Sequence, residues 1–203
     1  MSLRRSYLRG NDWEQAGRHA LLYARFLLPA GGAAVLVTVL GVGWFTQPDR
    51  YVRGYAPLQP IPYSHRLHAG VLKIPCQYCH SGVLRSRLAG IPSVDKCMNC
   101  HRVTKTESPH IRRLAALHES GRPLQWARVH ALPDHVYFDH RPHVSAGILC
   151  QTCHGEVQTM EVLSQEISLR MGNCLGCHRD AHDALPAGSN IAGGPEHCNA
   201  CHR

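Results

Sequence analysis

Charged side chains stop at Arg25 and do not return until Asp49. The stretch between them runs from Phe26 through Pro29, Gly31 and Gly32 to the Val35–Leu40 run, Trp44 and Phe45. At about twenty residues it is long enough to cross a bilayer as a helix. Pro29 stands near its start, where a missing N–H costs least, so the pattern predicts a span over residues 26–46. Arg4, Arg5, Arg9, Arg18 and Arg25 precede it. By the positive-inside rule, residues 1–25 are cytoplasmic and residues 47–203 lie on the periplasmic side of the inner membrane. A cleaved signal peptide would export the same region. The apolar run is longer than the usual h-region, however, its charged approach is long, and no A-x-A site follows Gly43. A single-pass, uncleaved anchor is therefore expected, with Trp44, Phe45, Tyr51 and Tyr55 in the outer interfacial belt. Ala30, Ala34 and Thr38 recur every four residues, a small-residue stripe that would let a second membrane helix approach closely.

Past the span the pattern changes. The chain holds 18 glycines and 13 prolines but only 6% aromatic residues, a balance that favours loops and short helices over long elements or sheet. All ten cysteines fall in five CxxCH pentapeptides: Cys76/Cys79/His80, Cys97/Cys100/His101, Cys150/Cys153/His154, Cys174/Cys177/His178 and Cys198/Cys201/His202. Two thiols at this spacing can each form a thioether to one vinyl group of a single porphyrin, and the next histidine then sits beneath the iron as an axial ligand. Structural zinc needs two CxxC half-sites per metal, so five motifs would leave one over, and neither zinc nor a disulfide framework requires the following histidine. Five covalently bound haem c groups are expected. With about 150 residues for five haems, roughly thirty apiece, no separate hydrophobic core per cofactor can form. The expected fold is a mainly α and irregular multihaem domain in which porphyrins are the core, behind one transmembrane helix.

The net charge of +8 would suit a nucleic-acid binder. Ten haem propionates would offset it, and Arg102, Arg179 and Arg203, each directly after a CxxCH, are placed to pair with them or to remain solvated. No nucleic-acid motif is present.

YSHRLHAGVLKIPCQYCHSGV (63–83) matches FDHRPHVSAGILCQTCHGEV (138–157) with a one-residue gap, pairing Tyr63 with Phe138, His65 with His140, Arg66 with Arg141, His68 with His143 and Gln77 with Gln151. Each copy is followed by a motif of a second type, CMNCHR or CLGCHR, and CNACHR at the C-terminus is one more of these. The organisation is two two-haem modules, about 63–103 and 138–180, with an extra haem at 195–203 and residues 104–130 connecting.

A low-spin electron-transfer haem needs a second axial ligand, and eleven of the sixteen histidines remain for that role. Two histidines on one helical turn cannot easily reach the same porphyrin. His65 and His140 are thus expected on the haem nearest in sequence, with His68 and His143 reaching neighbouring haems. For the fifth position His135 is one candidate and His130 a weaker one; Met171 and Met160 are the methionine options, each equally a packing residue. Met98 is enclosed in its own CxxC loop. His110, His118, His182 and His197 read as surface or propionate partners, and His19 lies on the cytoplasmic side.

The histidine pairs resemble those of class III multihaem cytochromes. The larger pattern, an N-terminal anchor followed by QPIPYSHRLHAGVLKIPCQYCHSGV, VDKCMNCHR, VHALPDHVYFDHRPHVSAGILCQTCHG and MGNCLGCHR, resembles the pentahaem subunit of alternative complex III from Tyr55 to His178. That resemblance implies an electron-transfer subunit, not itself an enzyme, of a complex that oxidises membrane quinol and delivers electrons to a soluble periplasmic carrier or a terminal oxidase. It also implies the partners: integral quinol-binding subunits, an iron–sulfur subunit of molybdopterin-enzyme type and a monohaem cytochrome. Two other functions fit five haems less well. A stand-alone anchored quinol dehydrogenase would carry four haems, and a nitrogen-compound-converting enzyme needs an open iron, often with lysine replacing one motif histidine, which no motif here shows.

Overall fold

The computed structural model describes residues 12–47, 49–180, 185 and 193–202. Arg4, Arg5, Arg9, His182 and Arg203 lie outside the described residues. The chain divides into two units, residues 1–48 and 49–203.

The first unit is helical throughout: α1 (Asp12–Leu22), a π-helical turn (Tyr23–Leu27) and α2 (Leu28–Phe45) follow without a break. The helix therefore does not begin beside Pro29, as its position in the apolar run suggested. Proline inside an α-helix lacks a donor and crowds the carbonyl four residues back, here that of Arg25. The π turn relieves this by widening the helix just before Pro29, with Leu28 N–H reaching back five residues to the Tyr23 carbonyl. No side chain of α2 is buried within the chain, and it is long and apolar enough to cross a membrane. Thr38 spends its hydroxyl on the Ala34 carbonyl at 2.8 Å, so this polar position needs no outside partner.

The second unit carries short helices and, among its described residues, a single isolated β-bridge, Val136 to His202. In chain order they are α3 (Asp49–Val52), a π turn (Arg66–Val71), α4 (Cys76–Cys79), α5 (Val94–His101), α6 (Pro109–Glu119), α7 (His140–Ser145), α8 (Cys150–His154), α9 (Met171–Arg179) and α10 (Cys198–Cys201). The longest of these, α6, opens on Pro109 and ends in a left-handed Gly121 (φ +62°), with Gly121 N–H bonded to the His118 carbonyl and Arg122 N–H to that of Leu117. Its apolar face, centred on Leu114, packs on α5 in a cluster with Ile61, Val94 and Met98. Val83 and Val129 are the other buried apolar side chains among the described residues. Six such residues cannot stabilise a unit of this size on their own.

Candidate haem-binding sites

Every CxxC pair lies on a helical turn, α4, α5, α8, α9 or α10, where positions three apart share a face, so both thiols of a pair point the same way. All ten thiols are free. The five pairs look equivalent in the sequence, and the structure corrects this at Cys97 and Cys100. In the other four pairs the first thiol is exposed and the second half-buried; here Cys100 is the exposed one and Cys97 the half-buried one. The reason is local packing: Cys97 lies against the cluster of Ile61, Val94, Met98 and Leu114, with its thiol 3.9 Å from the Ser93 carbonyl, which leaves Cys100 on the solvent side of α5. Among the described residues no three His, Cys, Asp or Glu side chains converge as a metal cage would require.

The imidazoles show how each turn is equipped. His80 Nδ1 lies 2.7 Å from the Gly90 carbonyl, His101 Nδ1 3.0 Å from that of Thr104, and His178 Nδ1 2.7 Å from that of Pro195. A carbonyl only accepts, so Nδ1 must carry the proton, and Nε2 is left with its lone pair for a metal. The histidines ahead of the motifs are held alike: His68 Nδ1 donates to the Ser64 carbonyl (2.8 Å), His143 Nδ1 to that of Asp139 (2.8 Å) and His140 Nδ1 to that of Arg87 (2.9 Å). Such outer bonds fix the tautomer and orientation of a ligating ring.

Two imidazoles bound to opposite faces of one metal, with bonds of about 2 Å, hold their ring centres about 6 Å apart. Four pairs stand at such a separation: His68/His101 at 6.3 Å, His140/His154 at 6.4 Å, His143/His178 at 6.0 Å and His135/His202 at 5.6 Å. His65 faces His80 electrostatically, and its Nδ1 is buried with no protein partner. Burial, then the neighbouring His80 and His68, push its pKa down to about 4. His154 is likewise pushed down to about 4 by burial and by His130, His140 and His80. His130 sits edge-on to His154 at 4.5 Å, too close for a metal between the two rings, and its Nε2 is buried without a protein partner.

The remaining candidates stand apart. Met171 is 62% exposed at the start of α9, Met160 packs its methyl beside Gly155, and Met98 is buried in the small core. His118 uses both ring nitrogens, one on Asp95 Oδ1 at 2.7 Å and one on the Arg102 guanidinium at 3.1 Å. His19, His110 and His197 are exposed. Arg179 is paired with Glu196 at 2.7 Å.

These features fit haem c: paired free thiols on one face, a proximal imidazole presenting Nε2, and a second imidazole across a gap of metal-ligand size. Residues 136–203 match the family model for cytochrome c7 and related cytochrome c. The chain is similar to multihaem c-type cytochromes. The multihaem cytochrome c subunit of menaquinone reductase from Nitratidesulfovibrio vulgaris (strain Hildenborough) is 27% identical over 198 residues, spanning 85% of this chain and 91% of the relative.

One part of this cytochrome-like site was not visible as such in the sequence. Tyr63 stacks on His68 (4.5 Å, 19°) and meets His65 edge-on (4.9 Å, 84°). Phe138 does the same between His143 (4.7 Å, 34°) and His140 (4.8 Å, 86°). Each ring wedges apart two imidazoles that face different attachment turns. The alignment of Tyr63 with Phe138 in the duplication was the only sequence signal for it.

Proposed function

We propose that the chain is a membrane-anchored, five-haem electron-transfer subunit of a quinone-linked redox complex, with α2 in the inner membrane and residues 47–203 in the periplasm. The observation that carries this reading is the set of four imidazole pairs at 5.6–6.4 Å, each joining a CxxCH histidine to a histidine from outside any motif. His80, His101, His154, His178 and His202 are the proximal ligands. The distal ones are His65 to the haem of His80, His68 to that of His101, His140 to that of His154, His143 to that of His178, and His135, in preference to Met171, to that of His202. The ten motif thiols, the exposed Cys100 included, are the thioether attachments. The bound haems supply one-electron chemistry at irons whose axial positions are all filled. The chain's own residues attach them, fix the imidazole planes and exclude small ligands.

The relative's name joins a multihaem cytochrome to menaquinone reduction, and the motif resemblance joins one to quinol oxidation; both place the subunit beside quinone-binding membrane partners. The reading predicts five thioether-bonded haems by mass spectrometry and only low-spin spectra. The ligand planes predict two kinds of low-spin EPR signal: a rhombic one from the nearly parallel His140/His154 pair (4°), and one with a larger maximal g value from the crossed His68/His101 pair (60°). A substantial high-spin, carbon-monoxide-binding fraction would overturn the reading. Quinol oxidation by the isolated subunit in detergent would replace it with the stand-alone dehydrogenase.

A further inference from the structure

We infer that the five attachment turns stand in the spatial order second, first, third, fourth, fifth, so that the row ends at the turns of His101 and His202 and the turn of His80 is an interior station. This deepens the five-haem reading and rests on it.

Four links carry the order. Between the second and first turns, Asn99 donates its side-chain amide to the Tyr78 hydroxyl at 2.9 Å, the Lys96 ammonium lies 4.9 Å from the centre of the Tyr78 ring, and Cys97 has Cys79 as a neighbour. The first and third turns meet directly: the Cys76 and Cys150 thiols are hydrogen-bonded to each other, and His80 lies within electrostatic reach of His154. Between the third and fourth, Cys153 has both Cys177 and Cys174 as neighbours. Between the fourth and fifth, Cys174 neighbours Cys201, and Gly194, four residues ahead of Cys198, donates its N–H to the His178 carbonyl at 3.1 Å. The first turn thus has a neighbour on each side.

The thioether bonds are made at the vinyl edge of each porphyrin, so thiols that meet across two turns bring two macrocycle edges together. Edge contact is the geometry in which electron exchange is fastest. The duplication explains the reversal of the first two stations. Each module holds one motif of the first type and one of the second, and the modules meet through their first-type motifs, giving second–first then third–fourth. The same junction is stitched by protein. Arg66 pairs with Glu161 at 2.9 Å, Arg66 N–H bonds the Met160 carbonyl at 2.8 Å, and His140 N–H bonds the Arg87 carbonyl at 3.1 Å. Partners that exchange electrons with this chain therefore address the α5–α6 side at one end of the row and α10 at the other.

Iron positions in crystals of the holoprotein, located by anomalous scattering, test this directly. The expected neighbour sequence is the irons of His101, His80, His154, His178 and His202. The inference is overturned if the iron of His101 lies between those of His80 and His154, or if the irons of His178 and His202 do not follow that of His154. In a second arm, the Cys76→Ala/Cys79→Ala holoprotein lacks one haem. Time-resolved reduction should then lose the fast phase that equilibrates the haem of His101 with the rest; retention of that phase overturns the inference. Five irons in another order would sink the inference and leave the electron-transfer reading intact, whereas fewer than five haems on the unaltered chain would sink both.

Discussion

The two copies of the duplicated segment hold matching functional residues on different local backbones. In the second copy, α7 is an ordinary turn capped by Asp139, which accepts from Arg141 N–H at 2.9 Å and pairs with the Arg141 guanidinium at 2.6 Å. In the first copy the corresponding turn, Arg66–Val71, is π-helical. Its cap is Ser64, whose hydroxyl accepts from Leu67 N–H at 3.0 Å and itself donates to Glu161 at 2.9 Å. The first copy has seven residues between His68 and Cys76, the second six between His143 and Cys150. A π turn is how a helix absorbs one extra residue without rotating the next segment of chain. Both copies then pass through a left-handed residue, Lys73 (φ +57°) in one and Gly147 (φ +84°) in the other, before entering the CxxC turn. What is preserved across the difference is the imidazole hardware: a Nδ1 bond four residues back for His68 and for His143, and an aromatic wedge between each pair. Ligand placement is constrained, and the helix type that achieves it is not.

The sharpest way to break this equivalence is to remove the reaching histidine from either copy. His68→Ala and His143→Ala should each convert one haem in five to a high-spin, carbon-monoxide-binding form, read by EPR and difference spectra. In a Cys97→Ala/Cys100→Ala background, His68→Ala should add no further high-spin signal, because the iron it serves is gone; a new signal there would reassign the ligand. Next in size is Gly70→Ala. Gly70 lies against the Gln158 carbonyl, and a Cβ would run into it. The matched residue, Ser145, is exposed. Thermal unfolding should show a loss of about 2–3 kcal/mol for Gly70→Ala and about 0.5 kcal/mol or less for Ser145→Ala. Lys73→Gly gives the first copy the second copy's solution and should stabilise by up to about 1 kcal/mol, since an L-residue is strained where glycine is not. Smallest is Tyr63→Phe, which copies Phe138 and should shift stability by about 1 kcal/mol or less while leaving the spectra unchanged.

Much of this architecture is written in local spacing. The CxxCH pentapeptides announce their chemistry because thioether attachment and proximal ligation happen within five consecutive residues, and the His65/His68 and His140/His143 pairs stand out because a duplication repeats them. Long-range geometry is different. Nothing in the sequence around His135 says that its ring lies 5.6 Å from that of His202, across a chain separation of 67 residues. Nor does the motif order reveal that Cys150 meets Cys76, because the junction between modules is made by side chains and loop carbonyls with no period to read. The exchange of exposed and half-buried thiols between Cys100 and Cys97 is hidden in the same way, since it depends on a cluster that Ile61 and Leu114 join from other parts of the chain. Pro29 misleads for a physical reason: proline normally marks a first turn, and here a π turn beneath it removes the clash that makes this so.

The thin apolar cluster of Ile61, Val94, Met98 and Leu114 also has a bearing on biogenesis. A polypeptide with so little oil of its own has nothing to collapse around as it emerges on the far side of the membrane, so cofactor loading must precede folding rather than decorate a finished scaffold. Cells starved of porphyrin would then accumulate no empty protein awaiting its pigment, only an open chain exposed to periplasmic proteases.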